Sequence, residues 1–71
     1  MEVVTIKDEF IKLGQALKLA GAVDSGLDAK IEIQNGKVKV NGETDLRRGR
    51  KLVDGDVVTY GSIQFQIKNR S

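Results

Sequence analysis

The sequence predicts an α+β fold in which two short packed helices are set into a small, mainly antiparallel β scaffold. Three observations predict it. Apolar residues recur at helical spacing through Leu13, Leu17 and Ala20, and again through Ala29 and Ile33. After Gly36 the period switches to alternation in Lys37-Val38-Lys39-Val40, and Asn41-Gly42 follows, the strongest short hairpin signal. Two further β-prone runs, 57–60 and 63–67, flank Gly61-Ser62.

Taken in order, Val3, Val4 and Ile6 among Glu2, Thr5 and Lys7 predict a first strand near residues 3–7, ended by Asp8-Glu9. Gly14 interrupts the helical pattern, so the first helix is expected to begin around Gly14, with 10–12 as an extended lead-in. Gly21 ends it, and Asp24-Ser25 supplies N-cap side chains for a second helix from about Ser25 to Gln34. On that helix Ala29 and Ile33 share one face, while Leu27 and Ile31 lie on a flanking one. Asn35-Gly36 closes it. Glu43 to Asp45 begins the return strand of the hairpin, and Arg47-Arg48-Gly49-Arg50-Lys51 is expected in a loop, because Gly49 and unbroken like charge disfavour regular pairing. Asp54-Gly55 marks another turn, and Lys68 to Ser71 reads as a polar tail.

Seventy-one residues, 39% of them hydrophobic, suit one domain spanning 1–71 with one modest core. The chain has neither cysteine nor histidine, which excludes disulfide staples, thiolate nucleophiles and the usual zinc ligand sets. No secretory leader pattern opens the sequence, and no apolar run approaches the roughly 20 residues that span a bilayer. A cytoplasmic protein without membrane contact is expected. Asp54 and Asp56 around Gly55 lack the further oxygen ligands of a calcium loop, and Gly14, Gly21 and Gly26 form no phosphate-binding glycine pattern. Carboxylate pairs such as Asp8-Glu9 have no partner acid, base or nucleophile system, so no enzyme, metal or cofactor is expected.

Charge is informative through its distribution. The formal net charge is only +2, yet Arg47 to Lys51 holds four cations and no acid, while seven of the ten acids precede residue 44. Lys30 is read as a cation in the first turn of its helix, opposing the macrodipole, a conflict that a bound phosphate would relieve. Lys37 and Lys39 share one face of their strand, and Lys18 projects from the first helix.

The order helix, tight turn, helix, glycine, strand, Asn-Gly, strand, basic loop, Gly-Asp resembles the S-four-type RNA-binding domain, also called the alpha-L motif. The resemblance rests on Leu13 and Leu17, on Ser25 with Ala29 and Ile33, on 36–42, and on Gly55-Asp56. Leu13-Gly14-Gln15-Ala16-Leu17-Lys18, Ser25-Gly26 with Ala29-Lys30, and Arg47 to Lys51 are similar to the small stand-alone bacterial members. Two positions depart from the common pattern. Gly26 stands where many members have arginine, and Gly14 where many have aspartate, the latter shared with the stand-alone subgroup.

What the resemblance implies is a helix pair and following hairpin that hold structured RNA, ribosomal or ribosome-associated, with the ribosome or an assembly intermediate as the setting and the protein a monomer. The residues expected to make phosphate contacts are Arg47, Arg48, Arg50 and Lys51, supported by Lys30, Lys37 and Lys39. Guanidinium forks fit phosphate oxygens, and helical RNA is recognised largely by its backbone and shape. The alternative expectation is a protein-interaction module whose basic loop docks an acidic protein.

Overall fold

The computed structural model describes residues 1–70. Strand β1 (Glu2–Ile6) is followed by the short β2 (Ile11–Lys12), which runs directly into helix α1 (Leu13–Leu19). Helix α2 (Gly26–Gln34) leads to β3 (Val38–Val40), β4 (Glu43–Thr44), β5 (Lys51–Leu52), β6 (Val57–Tyr60) and β7 (Ile63–Asn69). Five strands form one sheet in the order β1-β7-β6-β3-β4, and β2 pairs with β5 in a separate two-stranded ladder. All pairings are antiparallel except β1 with β7, which is parallel.

Alternation along the strands builds the core. Val4, Ile6, Val38, Val40, Val58, Phe65 and Ile67 are buried on one face of the sheet, where Leu13, Ala16 and Leu17 of α1 and Ala29 and Ile33 of α2 join them in one cluster. Leu52 of β5 completes it. At the C-terminus of each helix the chain reverses through a Schellman motif, which needs a left-handed residue. Gly21 (φ 75°) and Gly36 (φ 76°) supply it, with Ala22 N–H donating to the Leu17 carbonyl at 3.0 Å and Lys37 N–H to the Glu32 carbonyl at 3.2 Å. Ser25 caps α2, its hydroxyl accepting from the Asp28 amide at 3.1 Å.

The hairpin at Asn41-Gly42 forms as expected, with both residues at positive φ. Asn41 also ties that hairpin to β6. Its side-chain carbonyl accepts from Val57 N–H at 2.9 Å, and its amide donates to Asp56 at 3.0 Å.

Four expectations are corrected. The first strand is Glu2–Ile6 rather than 3–7, and α1 begins at Leu13, one residue before Gly14. Lys51 is not in a loop, because β5 pairs it with Lys12 across the ladder. Lys68 and Asn69 are not a tail but the end of β7, where they pair with Thr5 and Ile6 of β1. In the last two cases the partner lies tens of residues away, so the local sequence carries no trace of it.

Candidate functional site

The basic stretch is held by one carboxylate. Asp45 follows β4 and is only 5% exposed. It accepts from the Arg47 amide at 2.8 Å, from Arg47 Nε and Nη2 at 3.2 and 3.0 Å, and from Arg50 Nη1 at 2.9 Å. The Arg47 side-chain hydrogen bonds outweigh the burial, and with those of Arg50 and the Arg47 amide they hold the Asp45 carboxyl well below the usual carboxylate range. The same contact raises the Arg47 guanidinium. Two of the four cations in the stretch are therefore engaged internally. Their second role is to shape the chain between them.

That shape caps α1. Lys12 at its N-cap offers no side-chain cap, and instead Leu13 N–H donates to the Arg50 carbonyl at 2.8 Å and Gly14 N–H to the Arg48 carbonyl at 3.1 Å. Gly14 is buried beneath the Arg48 stem, and a Cβ there would come within 2.7 Å of Arg48 Cγ. A side chain at this position would have to displace the Arg48 stem, and the cap an aspartate would give is supplied by loop carbonyls.

Arg48 itself makes no ion pair among the described residues. It lines a shallow groove of about 340 Å³ with Lys12 and Lys18, and Gln15 adds a neutral hydrogen-bonding group. Gly26 and Gly49 leave the backbone open along part of the wall, while Gly14 lies buried beneath Arg48, and no acid intrudes. Lys30 lies one turn beyond Gly26 on the same side of α2, since residues four apart are neighbours on a helix. It is the fifth residue of that helix rather than a first-turn cation, so the expected conflict with the macrodipole is largely removed; Asp28 occupies the first turn.

The remaining expected site residues lie outside the groove wall. Lys51 faces Lys12 across the β2–β5 ladder, a like-charge pair that disfavours the ladder by a few tenths to about 1 kcal/mol. Its ammonium rests 4.8 Å from the centroid of the Phe10 ring, which offsets part of that repulsion. Lys37 bridges Glu32 at 3.3 Å. Lys39 is exposed on the sheet face opposite the buried Val38 and Val40, away from the helices. The seven residues named from the sequence therefore do not form one patch. Arg48 joins Lys12 and Lys18 in the groove, with Lys30 one helical turn from its Gly26 wall; Lys12 reads from the sequence as part of an extended lead-in, and only the β2–β5 pairing brings it to the loop.

Asp54 and Asp56, the acids weighed as metal ligands, accept backbone amides. Asp54 takes Asn69 N–H at 2.7 Å and Asp56 takes Val53 N–H at 2.8 Å. They hold turns. No helix among the described residues is long and apolar enough to cross a membrane.

Comparison with known proteins gives a consistent picture. The S4 domain family matches residues 4–68. The Bacillus subtilis (strain 168) protein named "Probable ribosome maturation protein RlbA" is 49% identical over 67 residues, covering 93% of this chain and 94% of that protein. YbcJ of Escherichia coli (strain K12) is 38% identical over 61 residues, covering 86% of this chain and 87% of YbcJ. The solution structure of E. coli YbcJ, described as revealing an alpha-L motif involved in RNA-binding, aligns with a TM-score of 0.74 at 35% identity, over 96% of this chain and 87% of that one.

Proposed function

This chain belongs to the S4 domain family, and on that premise we propose that it binds structured RNA, ribosomal or ribosome-associated, as a non-enzymatic domain acting through phosphate-backbone contacts. The observation that carries the reading is the acid-free groove where Lys12, Lys18 and Arg48 line a wall opened by the backbone of Gly26 and Gly49. Cations facing a groove without acids favour a polyanion, and glycine walls let a sugar–phosphate chain approach closely. Arg48 offers a planar fork to one phosphate, the lysines add point charges, and Lys30 extends the rim. Arg47 and Lys51 flank this surface with exposed charge. Arg50 serves mainly to shape the loop, since its guanidinium is bound to Asp45 and only 29% exposed. The RNA-binding description of YbcJ and the ribosome maturation name of the Bacillus relative support the same substrate class.

The test separates binding from folding. In K12A/K18A/R48A, affinity for a ribosomal RNA fragment with duplex structure is expected to fall tenfold or more, because up to three phosphate contacts are lost, while the thermal midpoint stays within a few degrees. Unchanged affinity in that variant overturns the site. Capture of partners from a lysate before and after ribonuclease tests the other reading: an acidic protein that survives nuclease and depends on these cations points to a protein-interaction module instead.

A further inference from the structure

The five-stranded sheet is covered on one side only. Val4, Val38, Val58, Phe65 and Ile67 point to the helices and are buried, so the alternate positions point outward. Register aligns Lys39, Thr59 and Gln64 in one row across β3, β6 and β7, and sets Thr5 beside Lys68 in another. Arg70 carries the alternation one step past β7. Its amide donates to the Ile6 carbonyl at 2.9 Å, and it shares a recess with Thr5 and Lys68. None of Lys39, Lys68 and Arg70 is ion-paired among the described residues, and no acid occupies an outward position on any of the five strands. Tyr60 and Phe65 fall on helix-facing positions, so this face has no aromatic platform for stacking unpaired bases.

We propose that the open sheet face is a second RNA-contacting surface, so that the domain holds two RNA segments at once, one in the groove and one against the sheet. The inference rests on the RNA-binding reading above and adds a site to it. Three cations on a face whose strand positions carry no acid favour a polyanion, with Asp54 at its edge engaged by the Asn69 amide. Lys39 and Lys68 sit about 16 Å apart at the backbone by strand spacing and rise, too far to serve one phosphate and suited to following a backbone. Thr5, Thr59 and Gln64 supply neutral donors and acceptors for 2′-hydroxyls on either side of a central Val3-Gln66-Val57 row, and the wide, shallow minor groove of an RNA duplex is what a flat face can approach.

The experiment uses the full chain and one short RNA hairpin, prepared in a donor-labelled and an acceptor-labelled form. The parent is expected to bind two hairpins and to give energy transfer between them. K39E/K68E/R70E should bind one, with no transfer, and with the affinity of the remaining site within about twofold of the parent, as expected for well-separated sites. K12A/K18A/R48A should also bind one, losing the groove instead. If the charge-reversed chain lacks the circular dichroism of the parent, K39Q/K68Q/R70Q replaces it without adding like charges. A parent that binds a single hairpin, or a sheet variant that still joins two, overturns this proposal and leaves groove binding standing. A parent that binds no structured RNA overturns the premise as well.

Discussion

Asp45 accepts hydrogen bonds from both Arg47 and Arg50 while almost wholly buried, so the two arginines cannot be truncated without consequence for the fold. R47A/R50A leaves a buried carboxylate with a lost set of charged donors, and a destabilisation of about 1–3 kcal/mol is expected in denaturant unfolding. Adding D45N should recover part of that loss, because a neutral amide is cheaper to leave under-bonded than a carboxylate. R48A, by contrast, removes an unpaired side chain and should leave stability within about 0.5 kcal/mol. The pH dependence has a definite sign. The folded-state pKa of Asp45 is depressed, so its stabilisation is complete above the ordinary value of 3.8 and is lost as pH falls below that toward the folded-state value. Thermal midpoints of the parent should therefore decline below about pH 4 more steeply than those of D45N; equal slopes would remove Asp45 from the account of acid stability.

Between elements, the decisive contact is the loop that lies on the first turn of α1. Gly14→Ala should improve helix propensity by up to about 1 kcal/mol, yet its Cβ would displace the Arg48 stem. Stability is expected to change little while RNA affinity falls several-fold, and the Arg48 side-chain resonances should shift; unchanged affinity would mean that the stem position does not matter. Asn41→Ala acts differently. It forces an ordinary residue to φ 52° and removes the bonds to Val57 and Asp56, with an expected cost of about 1–3 kcal/mol in unfolding. The contrast between these two positions also marks what could be read from the chain. Asn41-Gly42, the Ser25 cap and the glycine-terminated helices are local chemistry, and each was legible because the residues that need one another are neighbours. The parallel pairing of β1 with β7, the clamp of Arg50 on Asp45 and the arrival of Lys12 at the loop join residues that local pattern cannot connect. Charge density therefore marked Arg47 and Arg50 without showing that both bind Asp45, and gave no sign that Lys12 stands in the groove beside Arg48.

At the scale of the whole molecule, the net charge of +2 conceals a division of labour among twelve cations. Lys37, Arg47 and Arg50 are paired with acids, while Lys12, Lys18 and Arg48 share one acid-free groove on the helix side and Lys39, Lys68 and Arg70 lie on the open sheet face. The core that separates these surfaces is small, and Phe65 at its centre is fully buried. Phe65→Ala should cost about 3–5 kcal/mol and abolish binding together with the fold, whereas the groove variant should keep the fold and lose the groove site alone. Counterion release turns the charge division into a measurable number. Each phosphate neutralised contributes about 0.7–0.9 to the slope of log K against log salt, so three groove cations predict a slope near −2 to −3 for a hairpin confined to the groove. K39E/K68E/R70E should show that slope unaltered, and K12A/K18A/R48A should bring the groove contribution close to zero. A slope of about −4 in the sheet variant would mean that the two acid-paired arginines also reach the RNA, and that the Asp45 clamp opens on binding.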